Sequence, residues 1–339
     1  MTAQTALEKI YQNENLNTQE MTALATALFS GELTDAQIAA LMIGLKIKGA
    51  SVDELTALAS VMQQKAIPMF KAPAGVMDNC GTGGDHSNSF NISTTSAFVL
   101  AGAGIPMAKH GNRSISSKAG SADVLEALGV TLNVSPAGID YLLAQAHIAF
   151  LFAPALHPAM KYVMKIRREL ATPTIFNLIG PLINPYPLDN QLLGTSAGAS
   201  LKETAAALGQ LGRKRAIVIH GAYGMDEANL SGATHCALYE NQQVQTFDLD
   251  PQEYGFTPCN LKEIQGGDAE RNKEILLSVL NNEPSPYLET VVLNAGLGLY
   301  AGGVVPDFAA GFTKAREIIA NGLAQEALTK LLRYQKEVA

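Results

Sequence analysis

The chain has 339 residues, of which 47% are hydrophobic and 16% are charged, so it can bury the core of one large domain and a smaller one. Its net charge of -7 disfavours a surface for nucleic acid or for an anionic membrane, and no apolar stretch is long enough to span a bilayer. The cysteines, Cys80, Cys236 and Cys259, lie far apart, and the N-terminus lacks the pattern of a signal peptide. These features predict a cytoplasmic protein.

Residues 1–67 are predicted to form a helical bundle. Thr34–Gln37 and Ser51–Glu54 both match the capping box, and each comes directly before an apolar run of helical period. The segment Pro68–Pro73 then predicts a linker.

After the linker the pattern changes to short apolar strands followed by glycine-rich turns and helices. The clearest strands are predicted at Gly75–Asn79, Ala216–His220 and Thr290–Asn294. This alternation predicts an α/β fold with a mostly parallel sheet and helices on its faces. Residues 158–170 are predicted to be helical. The proline-rich stretch Thr172–Asn190 is predicted to be mostly non-helical and is a candidate hinge between two lobes.

The first candidate site is the loop Gly81–Asp85, between a predicted strand and a helix predicted to begin near Asn91. Glycines let the backbone approach an anion closely, and the helix N-terminus adds unpaired N–H groups and a positive dipole end. A plain strand–helix turn is the alternative, although three glycines in five residues exceed what a turn needs. Further donors in this region are Ser89, Asn91, Ser93, Thr94 and Thr95.

The second candidate site is Lys109–Lys118, which concentrates positive charge in an acidic chain. Hydroxyl and cationic donors so close together favour a phosphorylated ligand over a simple surface turn. A nucleic-acid site would add interleaved aromatic side chains and a wider basic field. The donors and charges of this segment are Lys109, Arg113, Ser114, Ser116, Ser117 and Lys118.

Asp226 and Glu227 follow the predicted strand Ala216–His220, so they are expected at the ligand-binding edge of the sheet. Two adjacent carboxylates near a phosphate suit Mg²⁺, which prefers oxygen ligands and shares them with phosphates. An Asp-Glu pair alone is more typical of a solvated helix start. The two anion loops are what favour the metal-binding interpretation.

Arg167 and Arg168 precede the proline-rich stretch. One of them is a candidate bidentate clamp for a carboxylate, and a solvated helix surface is the equal alternative.

The run Gly296–Ala301 fits a dinucleotide-binding pattern, but the acidic residue at the expected distance, Glu317, lies in a segment predicted to be helical, Thr313–Asn321. These glycines are therefore interpreted as helix–sheet packing positions. His147 and His157 show no metal-binding spacing and are interpreted as structural.

Together these residues resemble the anthranilate phosphoribosyltransferase family over nearly the whole chain. Departures are small: Ala171 stands where the family usually has Gly, and Ala222–Tyr223 precedes Gly224 at a variable position. Besides the two loops, the matching motifs are Gln37–Met42, Lys48–Gly49, Gly120–Gly129, His157–Lys161, Arg167–Leu170, Thr174–Asn177, Gly180–Leu182, Asn184–Pro185 and Asp226–Glu227.

The resemblance implies an α/β fold of the nucleoside phosphorylase and phosphoribosyltransferase type. A small all-helical lobe, residues 1–70, would be joined by helices from about 160–190 to a larger α/β lobe, residues 71–159 and 191–339. It also implies transfer of a phosphoribosyl group from 5-phosphoribosyl 1-pyrophosphate to anthranilate, with two Mg²⁺ ions per subunit and a homodimer. A pyrimidine nucleoside phosphorylase and a non-catalytic nucleic-acid-binding relative are the alternatives.

The resemblance assigns site residues as well. Mg²⁺ would bind Ser93, Asp226 and Glu227, and anthranilate would contact Gly81, His110, Asn112 and Arg167. No general base is assigned firmly, and His110 is a possible proton relay. The phosphoribosyl pyrophosphate site would comprise Gly81, Gly84, Asp85, Ser89, Asn91, Ile92, Ser93, Thr94, Lys109, His110, Gly111, Asn112, Arg113, Ser114, Ile115, Ser116, Ser117 and Ser121.

Overall fold

The structure is a computed structural model that describes residues 2–70, 73–114 and 118–338. Its N-terminal part is the predicted helical bundle, with α1 at Ala3–Tyr11, α2 at Thr18–Ser30, α3 at Asp35–Lys48 and α4 at Val52–Gln64. Both predicted capping boxes form, at the start of α3 and of α4. Each box satisfies two backbone N–H groups that would otherwise lack a partner, which fixes where the helix begins.

Seven strands form one sheet in the order β3-β2-β1-β4-β5-β6-β7. Strands β1 to β5 are parallel, and β6 and β7 add an antiparallel hairpin at one edge. The predicted fold class, a helical lobe with a mostly parallel α/β lobe, is therefore confirmed. The strands are β1 at Met77–Asp78, β2 at Met107–Gly111, β3 at Ile148–Phe152, β4 at Asn190–Gly194, β5 at Arg215–His220, β6 at Thr234–Glu240 and β7 at Gln243–Leu249.

Helices cover both faces of this sheet. They are α5 at Ile92–Gly102, α6 at Ser121–Ala127, α7 at Pro136–Ala146, α8 at Ala153–Leu156, α9 at Lys161–Leu170, α10 at Ile175–Leu178, α11 at Leu201–Gln210, α12 at Ala269–Leu280, α13 at Pro286–Ala301, α14 at Phe308–Ala320 and α15 at Leu323–Tyr334. No helix in the described part of the chain combines the length and apolar character needed to cross a membrane.

The core is divided by the sheet because neighbouring strand residues point to opposite faces. In β5, Ile217 and Ile219 join the larger apolar cluster with α5, α13 and α15. Ala216 and Val218 instead join a cluster that includes the helical bundle and α11. The bundle core is thus continuous with one face of the sheet, because α11 packs against α4 on one side and β5 on the other.

The predicted strand Thr290–Asn294 is wrong, because this segment lies inside α13. A short run of β-branched and apolar residues does not distinguish a buried strand from a buried helix. The start signals decide it: Ser285 caps the helix by accepting from the backbone N–H of Leu288, and Pro286 occupies its first turn. Helix α13 is buried nearly all round, so it shows no polar stripe of helical period.

The glycines of the run Gly296–Ala301 pack helix against helix, which corrects the prediction of helix–sheet packing. A Cβ at Gly296 would lie 2.3 Å from the ring of Phe312 in α14. A Cβ at Gly298 would lie 2.8 Å from Leu100 in α5. The glycines let three helices approach closely, and they lie within α13, where no strand-to-helix loop exists to bind a dinucleotide.

One boundary differs from the sequence prediction. The strand predicted at Gly75–Asn79 has ladder pairing only at Met77 and Asp78. The stretch Thr172–Asn190 includes two short turns of helix, α10 and a 3₁₀ turn at Gly180–Ile183, within otherwise irregular backbone. The helix predicted at 158–170 is confirmed as a 3₁₀ turn leading into α9.

Candidate active site

The candidate site lies where the chain reverses its order across the sheet, between β1 and β4. Strand β1 has β2 on one side and β4 on the other, and such a point opens a crevice at the carboxyl ends of the strands. The loop after β1 crosses this crevice, because the backbone N–H of Thr82 donates to the carbonyl of Gly194 at the end of β4, at 2.8 Å. The first predicted anion loop therefore lies at the edge where a ligand would bind.

Asp226 lies directly against this loop. Its Oδ2 accepts a hydrogen bond of 2.6 Å from the backbone N–H of Gly83. A Cβ at Gly81 would approach the same oxygen to 2.4 Å, and a Cβ at Gly194 would lie 1.5 Å from the backbone oxygen of Asp226. Gly81 in the loop after β1 and Gly194 at the end of β4 thus make room for the acidic segment, which was predicted at this edge.

Glu227 and Lys109 meet at the start of α5. Glu227 Oε1 accepts a 3.2 Å hydrogen bond from the backbone N–H of Ser93, and Lys109 Nζ lies 3.4 Å from Ser93 Oγ. Lys109, the middle residue of β2, is only 3% exposed, so its charge is held in place. Three predicted elements, namely the first loop, Lys109 and the carboxylate pair, are therefore brought together around Ser93.

Nearby positive charge does not fully compensate the buried carboxylates of Asp226 and Glu227. Burial and the charge of the nearby Asp85 together raise the pKa of Asp226 to about 7. Burial and the charge of Asp226 raise the pKa of Glu227 to about 8, although Lys109 opposes the shift. Carboxylate and hydroxyl oxygens in such a place fit a hard divalent cation, which would supply the missing charge.

The remaining predicted donors lie in the loop before α5 and in the first turn of that helix. Asp85 Oδ1 accepts from the backbone N–H and the hydroxyl of Ser87, which shapes the loop, and Gly84 has a positive φ of 74°. Ser89 forms an isolated bridge with Gln265. Ile92 is buried, and Thr94 has a buried hydroxyl with no hydrogen-bond partner in the described part of the chain.

The second predicted loop is closed by its own contacts. The Ser121 hydroxyl donates to the Asn112 carbonyl at 3.2 Å. The Arg113 guanidinium binds Glu126 and Asp123, so its charge faces α6 and is already neutralised. This contact disfavours the predicted phosphate role for that guanidinium.

The other members of the second loop give less evidence for or against a role in binding phosphate. Gly111 ends β2, the backbone N–H of Ser114 donates to Asp123 at 3.2 Å, and Lys118 is exposed. The predicted ligands Ile115, Ser116 and Ser117 lie outside the described residues.

His110 and His157, referred to below as the histidine pair, form a buried contact that the sequence did not indicate. Their Nε2 atoms lie 3.1 Å apart, and both side chains are 3% exposed. Burial lowers the pKa of His110 to about 4 and that of His157 to about 3. A backbone hydrogen bond with Gly180 also engages the His110 ring. Both rings are therefore neutral near pH 7, which disfavours His110 as a strong general base.

A buried polar network underlies the histidine pair. Asp78 Oδ1 accepts from the backbone N–H groups of Cys80 and His110, and its Oδ2 accepts from Asn184 at 3.0 Å. Among the described residues, Asp78, Cys80 and His110 form a group with metal-ligand spacing. These three hydrogen bonds already engage both carboxylate oxygens, so the group is better explained as a support for β1 and β2. An aspartate inside an apolar strand was the sequence signal for it.

Arg167 lies half-buried on α9, and burial lowers its pKa. No carboxylate lies within salt-bridge distance of it among residues 2–70, 73–114 and 118–338, and its guanidinium lies 5.8 Å from the centre of the Phe176 ring. Arg168 is exposed, so Arg167 is the better candidate clamp. No contact joins Arg167 to the two anion loops in the described part of this structure. Ala171, which ends α9, has a φ of 47°. That left-handed conformation explains why the family usually has Gly there.

Comparison with known proteins agrees with this fold. The family described as "Glycosyl transferase family, helical bundle domain" matches residues 4–66, and "Glycosyl transferase family, a/b domain" matches residues 74–325. The fold and site thus define a two-lobed glycosyl transferase.

Curated relatives narrow this class. An anthranilate phosphoribosyltransferase of Listeria monocytogenes serotype 4a is 56% identical over 98% of both chains. One of Streptococcus pneumoniae is 53% identical over 97% of this chain and 99% of the relative. The chain belongs to the anthranilate phosphoribosyltransferase family.

Solved structures show the same architecture. The anthranilate phosphoribosyltransferase of Thermus thermophilus superposes with a TM-score of 0.93 at 36% identity, covering 98% of this chain and 99% of that one. The Saccharomyces cerevisiae enzyme, solved in complex with PRPP and Mg, has a TM-score of 0.86 at 23% identity, covering 99% of this chain and 98% of that one.

Proposed function

We propose that this protein transfers the phosphoribosyl group from 5-phosphoribosyl 1-pyrophosphate to anthranilate, releasing pyrophosphate, as a step of tryptophan biosynthesis. The supporting observation is the convergence of the glycine-rich loop, Lys109 and the Asp226–Glu227 pair at the carboxyl edge of the parallel strands. Family membership supplies the identity of the two substrates.

The donor's phosphates would lie between the first loop and Lys109. Backbone N–H groups at the start of α5 and the buried ammonium of Lys109 stabilise negative charge without having to reorganise. The bond from C1′ to pyrophosphate breaks with positive charge growing on the sugar and negative charge on the leaving group. Lys109 and the loop amides therefore act most strongly as the leaving group departs.

Ser93, Asp226 and Glu227 would hold Mg²⁺, and we propose two ions per subunit. Their oxygen donors and their deficit of positive charge support this assignment. When bound, the metal would supply charge stabilisation to the pyrophosphate.

The acceptor would lie next to Gly81, His110 and Asn112, with Arg167 facing its carboxylate. A half-buried guanidinium with no carboxylate within salt-bridge distance in the described part of the chain is suited to that role. Anthranilate's amine is already neutral at pH 7, so it needs positioning more than deprotonation. The neutral ring of His110 would contact it, and closure of the two lobes about the 172–190 segment would exclude water.

The test is the loss of anthranilate fluorescence when the purified protein receives phosphoribosyl pyrophosphate and Mg²⁺. Omission of Mg²⁺ should abolish the signal change. Phosphorolysis of thymidine or uridine without this activity would instead support the nucleoside phosphorylase alternative. A gel shift at moderate salt would support the nucleic-acid-binding alternative, which the net charge of -7 disfavours. We further propose that the protein is a homodimer, which sedimentation would test, and that it is cytoplasmic.

A further inference from the structure

Asn91 is the N-cap of α5, yet its side chain makes no capping hydrogen bond. The N-cap residues Asn17, Thr34 and Ser51 of α2, α3 and α4 all cap their own helices through the side chain. The Oδ1 of Asn91 is instead engaged 181 positions along the chain, where it accepts a 2.8 Å hydrogen bond from Asn272 Nδ2 in α12. The side chain of Asn91 is therefore held away from the ordinary capping geometry.

Hydrogen-bond chemistry fixes the orientation of both amides. The backbone N–H of Gly267 can only donate, so the Asn272 atom that lies 2.7 Å from it must be oxygen. Asn272 consequently directs its NH₂ group at Asn91, and the Asn91 atom that receives it must also be oxygen. The NH₂ group of Asn91 is thereby turned to the opposite side, where the carbonyl of Ala119 lies 3.4 Å away.

Ala119 directly follows the second anion loop, so the NH₂ group of Asn91 is directed from the start of α5 toward the gap between the two loops. One of its hydrogens points toward this long contact, and the other can donate to a ligand oxygen in the gap. We propose that Asn272 is a positioning residue of the phosphate site, because it fixes Asn91 with a donor rather than an acceptor toward the donor substrate's phosphate. This inference rests on the proposed role of Asn91 in binding phosphoribosyl pyrophosphate.

The surrounding structure makes this orientation rigid. Asn272 is only 3% exposed and lies in the first turn of α12. The segment before α12 also binds the phosphate loop directly: Phe90 N–H donates to the Ile264 carbonyl at 3.1 Å, and Gly266 N–H donates to the Asn88 carbonyl at 2.9 Å. The α12 region thus sets both the backbone path of the loop and the direction of its amide donor.

Substitution with aspartate tests the idea, because the two carboxylate oxygens can accept but not donate. In Asn272→Asp, one oxygen still accepts from Gly267, while the other attracts the NH₂ group of Asn91 and turns its oxygen toward the phosphate. We expect at least a tenfold rise in KM and in the calorimetric Kd for phosphoribosyl pyrophosphate with Mg²⁺. The kcat and the KM for anthranilate should change less than threefold. Asn272→Ala, which leaves Asn91 free to rotate, should have a smaller effect of the same kind.

The matched control is Asn241→Asp, which adds the same charge at an exposed hairpin turn between β6 and β7 and should leave every parameter unchanged. The double variant Asn91→Ala/Asn272→Asp should bind the donor no more weakly than Asn91→Ala alone. The positioning role would be overturned if Asn272→Asp weakened donor binding in the Asn91→Ala background by the same factor as it does alone. Parallel changes in kcat and both KM values would overturn it as well. If Asn91→Ala by itself leaves donor binding intact, the proposed phosphate ligand is wrong, and the inference fails with it. Should the aspartate variant not fold, the same cycle with Asn272→Ala decides the question.

Discussion

Replacing Gly81 with alanine should weaken the proposed metal site while leaving the fold intact. The new Cβ would lie 2.4 Å from Asp226 Oδ2, whereas ordinary contact begins at 3.4 Å, so the oxygen must retreat by about 1 Å (3.4 − 2.4). That movement breaks the 2.6 Å hydrogen bond from Gly83, a contact to a charged group worth about 1.5–3 kcal/mol. Removing a glycine stabilises by about 0.4–1 kcal/mol through the unfolded state, which offsets part of the loss.

The assay is initial velocity as a function of Mg²⁺ concentration. Displacing a metal-binding carboxylate from its supporting hydrogen bond costs about 10–100-fold in metal affinity, so the half-saturating Mg²⁺ concentration should rise by that factor. The urea midpoint should shift only slightly. Gly194→Ala is the informative contrast, since its Cβ would lie 1.5 Å from the backbone oxygen of Asp226 and no side-chain rotation relieves that overlap. That variant should be strongly destabilised. An unchanged Mg²⁺ dependence in Gly81→Ala would refute the reasoning.

Three further outcomes are expected. Arg167→Ala should raise KM for anthranilate far more than KM for the phosphoribosyl donor, with the exposed neighbour variant Arg168→Ala as control; equal effects on both substrates would contradict the clamp. Replacing Asp226 and Glu227 together with alanine should abolish Mg²⁺-dependent turnover with the circular dichroism spectrum unchanged, and retained metal dependence would show that these carboxylates are not ligands. Burial lowers both pKa values of the histidine pair below the ordinary 6.5, so the unfolded chain binds more protons than the native chain as the pH falls from 6.5 toward 4. The contribution of the pair to the free energy of unfolding should therefore fall over that interval, on the order of several kcal/mol at ~1.4 kcal/mol per pKa unit, while the raised pKa values of Asp226 and Glu227 contribute in the opposite direction. The part due to the pair is measured as the difference in the pH dependence of unfolding between the unsubstituted protein and the variant with glutamine at both positions.

The helical bundle could be predicted because its signals are local. Capping boxes at Thr34 and Ser51 satisfy helix ends with residues three positions away, so neighbouring residues contain the evidence. Helix α13 could not be predicted in this way. It is buried on nearly every side, and the partners that bury it come from α5, α14 and the sheet. Apolar residues therefore occur all round this helix and show no helical period, so a segment of it was mistaken for a strand.

The candidate site likewise has residues that the sequence could indicate and residues that only the structure could. Glycine-rich turns, a lysine amid small donors and an acidic pair could each be recognised, since residue type alone limits which ligands they can bind. Arg113 shows the limit of that reasoning, because its charge is neutralised by Glu126 and Asp123. The role inferred for Asn272 was invisible in the sequence, since its partner lies 181 positions away.

The sequence by itself determined the chemistry of this protein. It indicated an acidic α/β chain with two candidate phosphate-binding loops, a pair of acidic residues that could bind a cation, and the motifs of a known transferase family. Only the tertiary structure decided which of those groups meet. Strand order places the ends of β1, β2, β4 and β5 side by side, which brings Lys109, Ser93 and Glu227 together and leaves Arg113 facing α6. The physical reason is that hydrogen bonding and charge act over a few ångströms, and such distances between remote residues are set by packing of the whole chain.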